Sequence, residues 1–84
     1  MMSQPGILEI DVHRMTKRQA KVFIEGKIRS AGPAVYRIRV IHGYNSGTEL
    51  RDLVRREIAK NSKVKRVELG LNPGATDLIL RELY

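Results

Sequence analysis

Cysteine is absent from the 84 residues. Disulfides, thiolate metal sites and sulfur nucleophiles are therefore excluded, and no redox compartment is marked. Aromatic residues are scarce: three Tyr, one Phe and no Trp. No apolar run approaches the roughly 18 residues needed to cross a membrane. The opening MMSQPGILEI lacks the basic start and apolar centre of a secretory signal. The expectation is a soluble, cytoplasmic protein with no membrane partner. No Gly-Lys-Ser/Thr phosphate loop, no G-x-G-x-x-G fingerprint and no serine nucleophile elbow occurs, so three common routes to nucleotide or acyl chemistry are set aside.

What the chain has instead is positive charge. Sixteen Lys and Arg stand against nine Asp and Glu, a net charge of +7. Such an excess points to a polyanionic partner, nucleic acid before an anionic surface. The competing explanation is a basic surface with no partner. A chain of this length makes one domain with a modest core, burying ~60% of the surface its unfolded form exposes. Any site must lie on a surface or at a loop edge.

Hydropathy gives the order of elements. Residues 1–6 read as a loose tail, and 7–84 as a single domain. Ile7–Val12 alternates, with Leu8, Ile10 and Val12 on one face and Ile7, Glu9 and Asp11 on the other. Thr16 opens a helix with Gln19 at capping-box spacing. Its apolar stripe is Ala20, Phe23, Ile24 and Ile28, and Gly32-Pro33 stops it. Val35–Ile41 alternates again. A loop from His42 to Gly47 leads to a helix starting near Ser46 or Thr48, with Leu50, Leu53, Val54 and Ile58 as its stripe, ending at Asn61-Ser62. Val64–Leu69 is a third strand. Gly70–Gly74 is a turn, and Thr76–Leu83 is a fourth strand antiparallel to the third.

The order β-α-β-α-β-β predicts an α/β two-layer sandwich. Right-handed crossovers place both helices on one face of a mixed four-stranded sheet. The alternation in each strand predicts that the other face meets water.

Both histidines of the chain, His13 and His42, then fall at strand ends that feed into helices. In a parallel pair those carboxyl ends share one edge, where open α/β sheets take ligands. The two histidines are expected to approach each other there. Asp11 and His13 point to the same, open face. A carboxylate beside an imidazole fixes its tautomer and suits it to act as a base; the plain alternative is a solvated Asp and His. Gly43 and Gly47 permit tight turning near a helix start, where amides bind anions. Tyr44 is the one aromatic on a predicted loop, placed to stack on a base or sugar. Alternatively, this loop is a simple connection capped by Ser46 or Thr48.

Arg14, Lys17, Arg18 and Lys21 crowd the start of the first helix, where cations oppose the dipole at a cost of about 0.3–1 kcal/mol each. A bound phosphate would explain them. Arg37 and Arg39 add positive charge to the predicted open face. The basic run from Arg51 to Arg66 reads more as a solvated helix face, with Asp52 and Arg56 able to pair.

These pieces resemble the small MutS-related (Smr) domain from about Ile7 to Leu83. The family's Leu-Asp-x-His motif reads Ile10-Asp11-Val12-His13 here, with Arg14 in place of the usual Gly. Its His-Gly-x-Gly-x-Gly loop reads His42-Gly43-Tyr44-Asn45-Ser46-Gly47, with Asn45 in place of the middle Gly. GLNPGATDLIL looks like its closing hairpin. The resemblance implies a fold like the C-terminal domain of translation initiation factor three. It also implies DNA or RNA binding and, in several members, endonuclease or nicking activity. Asp11 and His13 match the positions tied to cleavage; His42, Gly43 and Gly47 match the binding loop.

Two function classes stay open. One is a nucleic-acid-binding domain using Arg14, Lys17, Arg18, Arg37, Arg39, His42, Gly43, Tyr44, Asn45 and Gly47, with or without cleavage by Asp11 and His13. The other is a non-catalytic adaptor docking on a protein partner in a ribosome or repair complex. With few aromatics and no base-reading motif, the first would select structure over sequence. A divalent ion such as magnesium is compatible with the residues but not required by them.

Overall fold

The structure is a computed structural model that describes residues 2–43 and 48–82. The chain forms β1 (Met2–Gln4), β2 (Ile7–Asp11), α1 (Lys17–Ser30), β3 (Arg37–Ile41), α2 (Glu49–Asp52), β4 (Arg66–Glu68) and β5 (Ala75–Ile79). Helix α2 continues as a wider π turn, Leu53–Glu57, and a tighter 3-10 turn, Ile58–Lys60. The sheet order is β1-β2-β3-β5-β4. β2 and β3 are parallel, and the other three neighbouring pairs are antiparallel.

The four expected strands and two helical segments are all present, and one strand is added. Met2–Gln4, expected as tail, pairs with the start of β2. Gly6 makes the turn between them at φ +84°. Its carbonyl accepts the amides of Tyr36 at 2.9 Å and Arg37 at 3.2 Å, tying the turn to the start of β3. β5 is shorter than the expected Thr76–Leu83. The amides of Leu80 and Arg81 both turn to the Tyr36 carbonyl, at 2.8 and 3.4 Å, so the ladder stops.

α1 starts as its sequence dictates. Thr16 accepts from the Gln19 amide at 3.1 Å, and the Gln19 side chain accepts from the Thr16 amide at 3.0 Å. Ala20, Ile24 and Ile28 of α1 and Leu53, Val54 and Ile58 of the second helical segment pack on Ile10, Val12, Ile38, Val40 and Leu78. One strand face thus carries both helices and the main core. Ile7, Ala75 and Ile79, in register with Arg37 and Ile41, are buried on the other face. That face, expected to meet water, is therefore only partly open. Truncating a fully buried Ile24 or Leu53 to Ala costs about 2–5 kcal/mol, a large share of the stability of a small domain.

The π widening alters the expected pairing on the second helix. Asp52 meets Arg51 at 3.6 Å, not Arg56. A wider turn moves residues four apart out of vertical alignment.

Gly6→Ala tests the unexpected strand. A Cβ there would meet the Tyr36 ring at 2.5 and 2.6 Å, and the left-handed backbone adds its own penalty of about 1–2 kcal/mol. Urea unfolding is expected to show a loss of at least that size, with β1 amides the first to lose exchange protection.

Candidate nucleic-acid interface

β2 and β3 run in register from Ile7↔Arg37 to Asp11↔Ile41, and β5 continues the row with Ile41↔Ala75. The ends of β2 and β3 and the start of β5 therefore lie at one edge. Asp11 and His13 sit on it with half their side chains exposed.

One carboxylate oxygen of Asp11, Oδ1, receives two hydrogen bonds from His13: the backbone amide at 3.0 Å and the ring Nδ1 at 2.5 Å. These bonds, the ring's first and the amide's second, hold the Asp11 carboxyl below its ordinary pKa. Asp11 accepts only, so Nδ1 carries the ring proton and Nε2 presents its lone pair. Arg14 Nε donates to that lone pair at 3.3 Å. The result is a chain Asp11–His13–Arg14 that fixes the ring's orientation and tautomer. Arg14, where the resemblance expects glycine, stands over Nε2.

Gly43 joins the second motif to the first. Its φ is +78°, and a Cβ there would meet the His13 Cβ at 3.3 Å. The expected approach of the two motifs is made by this glycine, not by the two rings. His42 turns inward and is only 2% exposed. Its Nδ1–H donates to the Gly43 carbonyl at 2.8 Å, and its Nε2 accepts from the Thr76 hydroxyl at 2.8 Å. Arg55 Nε donates to the same hydroxyl at 2.9 Å. Burial first, and then the positive charge of Arg55 and Arg51, push the His42 pKa down against the bond to Gly43. His42 is thus a neutral, fully bonded strut under the glycine, not a surface contact. Its parity in the strand carried this signal: it alternates with Ile38 and Val40, both buried. Arg55 carries no such signal: in the sequence it reads as part of a solvated helix face, but its contact is with Thr76, 21 residues away.

The amides of His42 and Gly43 are also occupied. Both donate to the Gly74 carbonyl at 2.9 Å, so neither is free for a phosphate. Tyr44, Asn45 and Gly47, and the caps Ser46 or Thr48 as a loop ending, were expected here; residues 44–47 lie outside the described residues. Thr48 makes no side-chain cap.

The cations divide into bound and unbound. Lys17 pairs with Glu57 at 2.9 Å and Lys21 with the same carboxylate at 4.0 Å. A carboxylate from the second helical segment, and not a phosphate, therefore offsets these helix-start charges. Arg18 has no ion pair among the described residues, and Arg14 has only its bond to His13.

Arg37 and Arg39 do lie on the face opposite the helices, as expected, but they are held there. Arg39 grips Asp77 with two bonds, at 3.0 and 3.1 Å. Arg37 reaches Asp77 at 2.6 Å and Glu68 at 2.9 Å. Arg66 completes the row through Glu68 and Glu82. Asp77 is 7% exposed. Burial raises its pKa, but the bonds from Arg39 and Arg37 outweigh burial and hold it below the ordinary value. The expected free positive charge of this face is offset by Asp77, Glu68 and Glu82, carboxylates that come late in the chain.

Among the described residues, no three His, Cys, Asp or Glu side chains gather as metal ligands, and no helix is long and apolar enough to cross a membrane. No protein-family model and no curated protein matches the sequence. The fold, however, resembles a solved structure, the Smr domain of Thermus thermophilus MutS2, with a TM-score of 0.77 over 89% of this chain and 99% of that one. The fold is that of an Smr domain. Sequence identity between the two is 21%, so the likeness speaks to architecture. Within the Smr fold, the Asp11–His13 pair and the Gly43 turn share the edge described above.

Two variants check this geometry. Gly43→Ala is expected to cost about 1–2 kcal/mol and to displace the His13 ring, read as a shift of its carbon-bound proton resonances. Asp77→Asn is expected to cost about 1.5–3 kcal/mol at neutral pH, as hydrogen bonds to a charged group weaken. Because the folded pKa of Asp77 is depressed, its contribution is present above about pH 4 and is lost as pH falls through the folded value. Denaturation curves should accordingly show a shallower acid loss below about pH 4 in the variant than in the wild type.

Proposed function

We propose that this Smr-fold domain binds DNA or RNA along the edge formed by the ends of β2 and β3. In this reading Arg14 and Arg18 contact phosphates directly. Lys17 adds charge already shared with Glu57, and Arg37 and Arg39 contribute least because Asp77 holds them. Gly43 lets the backbone pass close to His13. The observation that carries the proposal is the Asp11–His13–Arg14 chain: a fixed, exposed imidazole base with an arginine beside it, on a chain of net charge +7.

The same atoms support phosphodiester cleavage. His13 Nε2 takes a proton from water, or from a ribose 2′-hydroxyl. The freed oxygen forms the new P–O bond. The bond to the leaving sugar oxygen breaks, and that oxygen takes a proton from solvent. Asp11 holds the imidazolium while it exists. Arg14 must leave Nε2 for this to happen; on swinging to the phosphate it would both free the base and stabilise the charge developing on phosphorus. A magnesium ion is not needed by this scheme and is compatible with it.

The deciding experiment uses labelled single-stranded, duplex and branched DNA and RNA, with and without magnesium, on the wild type and an Asp11→Ala/His13→Ala variant. Binding is expected to weaken steeply with salt and to survive in the variant. Cleavage is expected in the wild type and absent from the variant. Cleavage that persists in the variant removes these two residues from the chemistry. Failure to bind any probe at low salt removes the nucleic-acid reading and leaves the adaptor role.

A further inference from the structure

The turn between β4 and β5 meets the same edge. Ala75, which follows it, pairs with Ile41, and Ile41 pairs with Asp11. The turn is pinned at its base. Asn72 Oδ1 accepts the Gly74 amide at 2.8 Å, and the Asn72 carbonyl accepts the Ala75 amide at 3.2 Å. The Gly74 carbonyl in turn accepts the His42 and Gly43 amides, and Gly43 abuts His13. Hydrogen bonds thus tie this turn to Gly43, which in turn packs close to His13 of the candidate pair.

The turn presents apolar surface. Leu71 is fully exposed, at 104% of its reference area, and Leu69 is 61% exposed. A single exposed leucine means little. Two on one anchored tip, with no charged residue from Leu69 to Gly74, make an uncharged prong. Along a polyanion such a prong has one complementary place, between bases. Apolar side chains entering there pay to unstack a base step. The cost is least where a base has already lost its partner.

From this, and resting on the nucleic-acid reading above, we infer that Leu71 is a wedge. It inserts beside an unpaired or unstacked base while Arg14 and Arg18 hold phosphates along the edge. Leu71 is then a specificity-determining residue, and the preferred ligand is nucleic acid with a local break in stacking over a continuous duplex. Recognition of this kind needs no aromatic platform and no base-edge contacts, in keeping with the composition.

The test compares two duplexes, made as DNA and as RNA: one continuous, one with a single unpaired 2-aminopurine. Affinity is followed by anisotropy and stacking by 2-aminopurine fluorescence, for the wild type and Leu71→Ala. Since Leu71 buries nothing, the variant should melt at the wild-type temperature. The wild type is expected to prefer the interrupted duplex by about tenfold, the effect of roughly 1.4 kcal/mol, and to change the fluorescence. Leu71→Ala is expected to bind the continuous duplex as the wild type does, and to lose both the preference and the fluorescence change. An unchanged preference in Leu71→Ala overturns the wedge and leaves the tip as a protein contact. Equal binding of both duplexes by the wild type also overturns the wedge while sparing the nucleic-acid reading. No binding of either duplex by the wild type overturns both.

Discussion

The parallel pairing of β2 with β3 brings together groups that the sequence holds far apart. Strand β2 ends in Asp11 and strand β3 in Ile41, side by side. One strand feeds the loop that carries His13; the other feeds Gly43. Because the two strands point the same way, both loops leave from one edge, and the Gly43 backbone comes against His13. An antiparallel pair would have put the two motifs at opposite ends of the sheet. The core exists to hold this pairing in register: α1 makes the connection from β2 to β3, and Ala20, Ile24 and Ile28 press it onto the strands it joins.

Electrostatics then sorts the side chains. A net charge of +7 suggests a surface uniformly ready for a polyanion, but the structure spends many cations on internal partners. Asp77 holds Arg37 and Arg39, Glu57 holds Lys17, and Glu68 and Glu82 hold Arg66. Exposed pairs of this kind add little stability; the Asp77 cluster, more withdrawn from water, adds more. Among the described residues, Arg14 and Arg18 are in no salt bridge with a carboxylate, so the cations left unpaired are fewer than the net charge implies.

Much of this was legible in the sequence because it is local. Alternation in Ile7–Val12 and Val35–Ile41 gave the strands and their faces. Thr16 and Gln19 gave the start of α1 through a contact three residues long. Asp11 and His13, two residues apart, gave the pair and its orientation. What could not be read depends on distant partners. Asp77 was one acid in a late strand until the sheet set it opposite Arg39. Arg55 needed Thr76, and Gly6 needed Tyr36. His42 is an intermediate case. Its strand parity pointed inward, but the family motif drew attention to it as a contact. Burial decides for the strut, since a ring bonded at both nitrogens and sealed from water has nothing left to offer a ligand.

Both borders of the sheet are formed by strands of three residues, β1 and β4. A border strand exposes a row of unpaired amides and carbonyls that can recruit a strand from another molecule. Here that row is too short to guide a long register on either side, and β4 carries Arg66 and Glu68 along it. Under the proposed nucleic-acid binding, several copies on one nucleic-acid strand would stand at high local concentration, the condition under which sheet-to-sheet growth begins; borders this short give such growth little to start from.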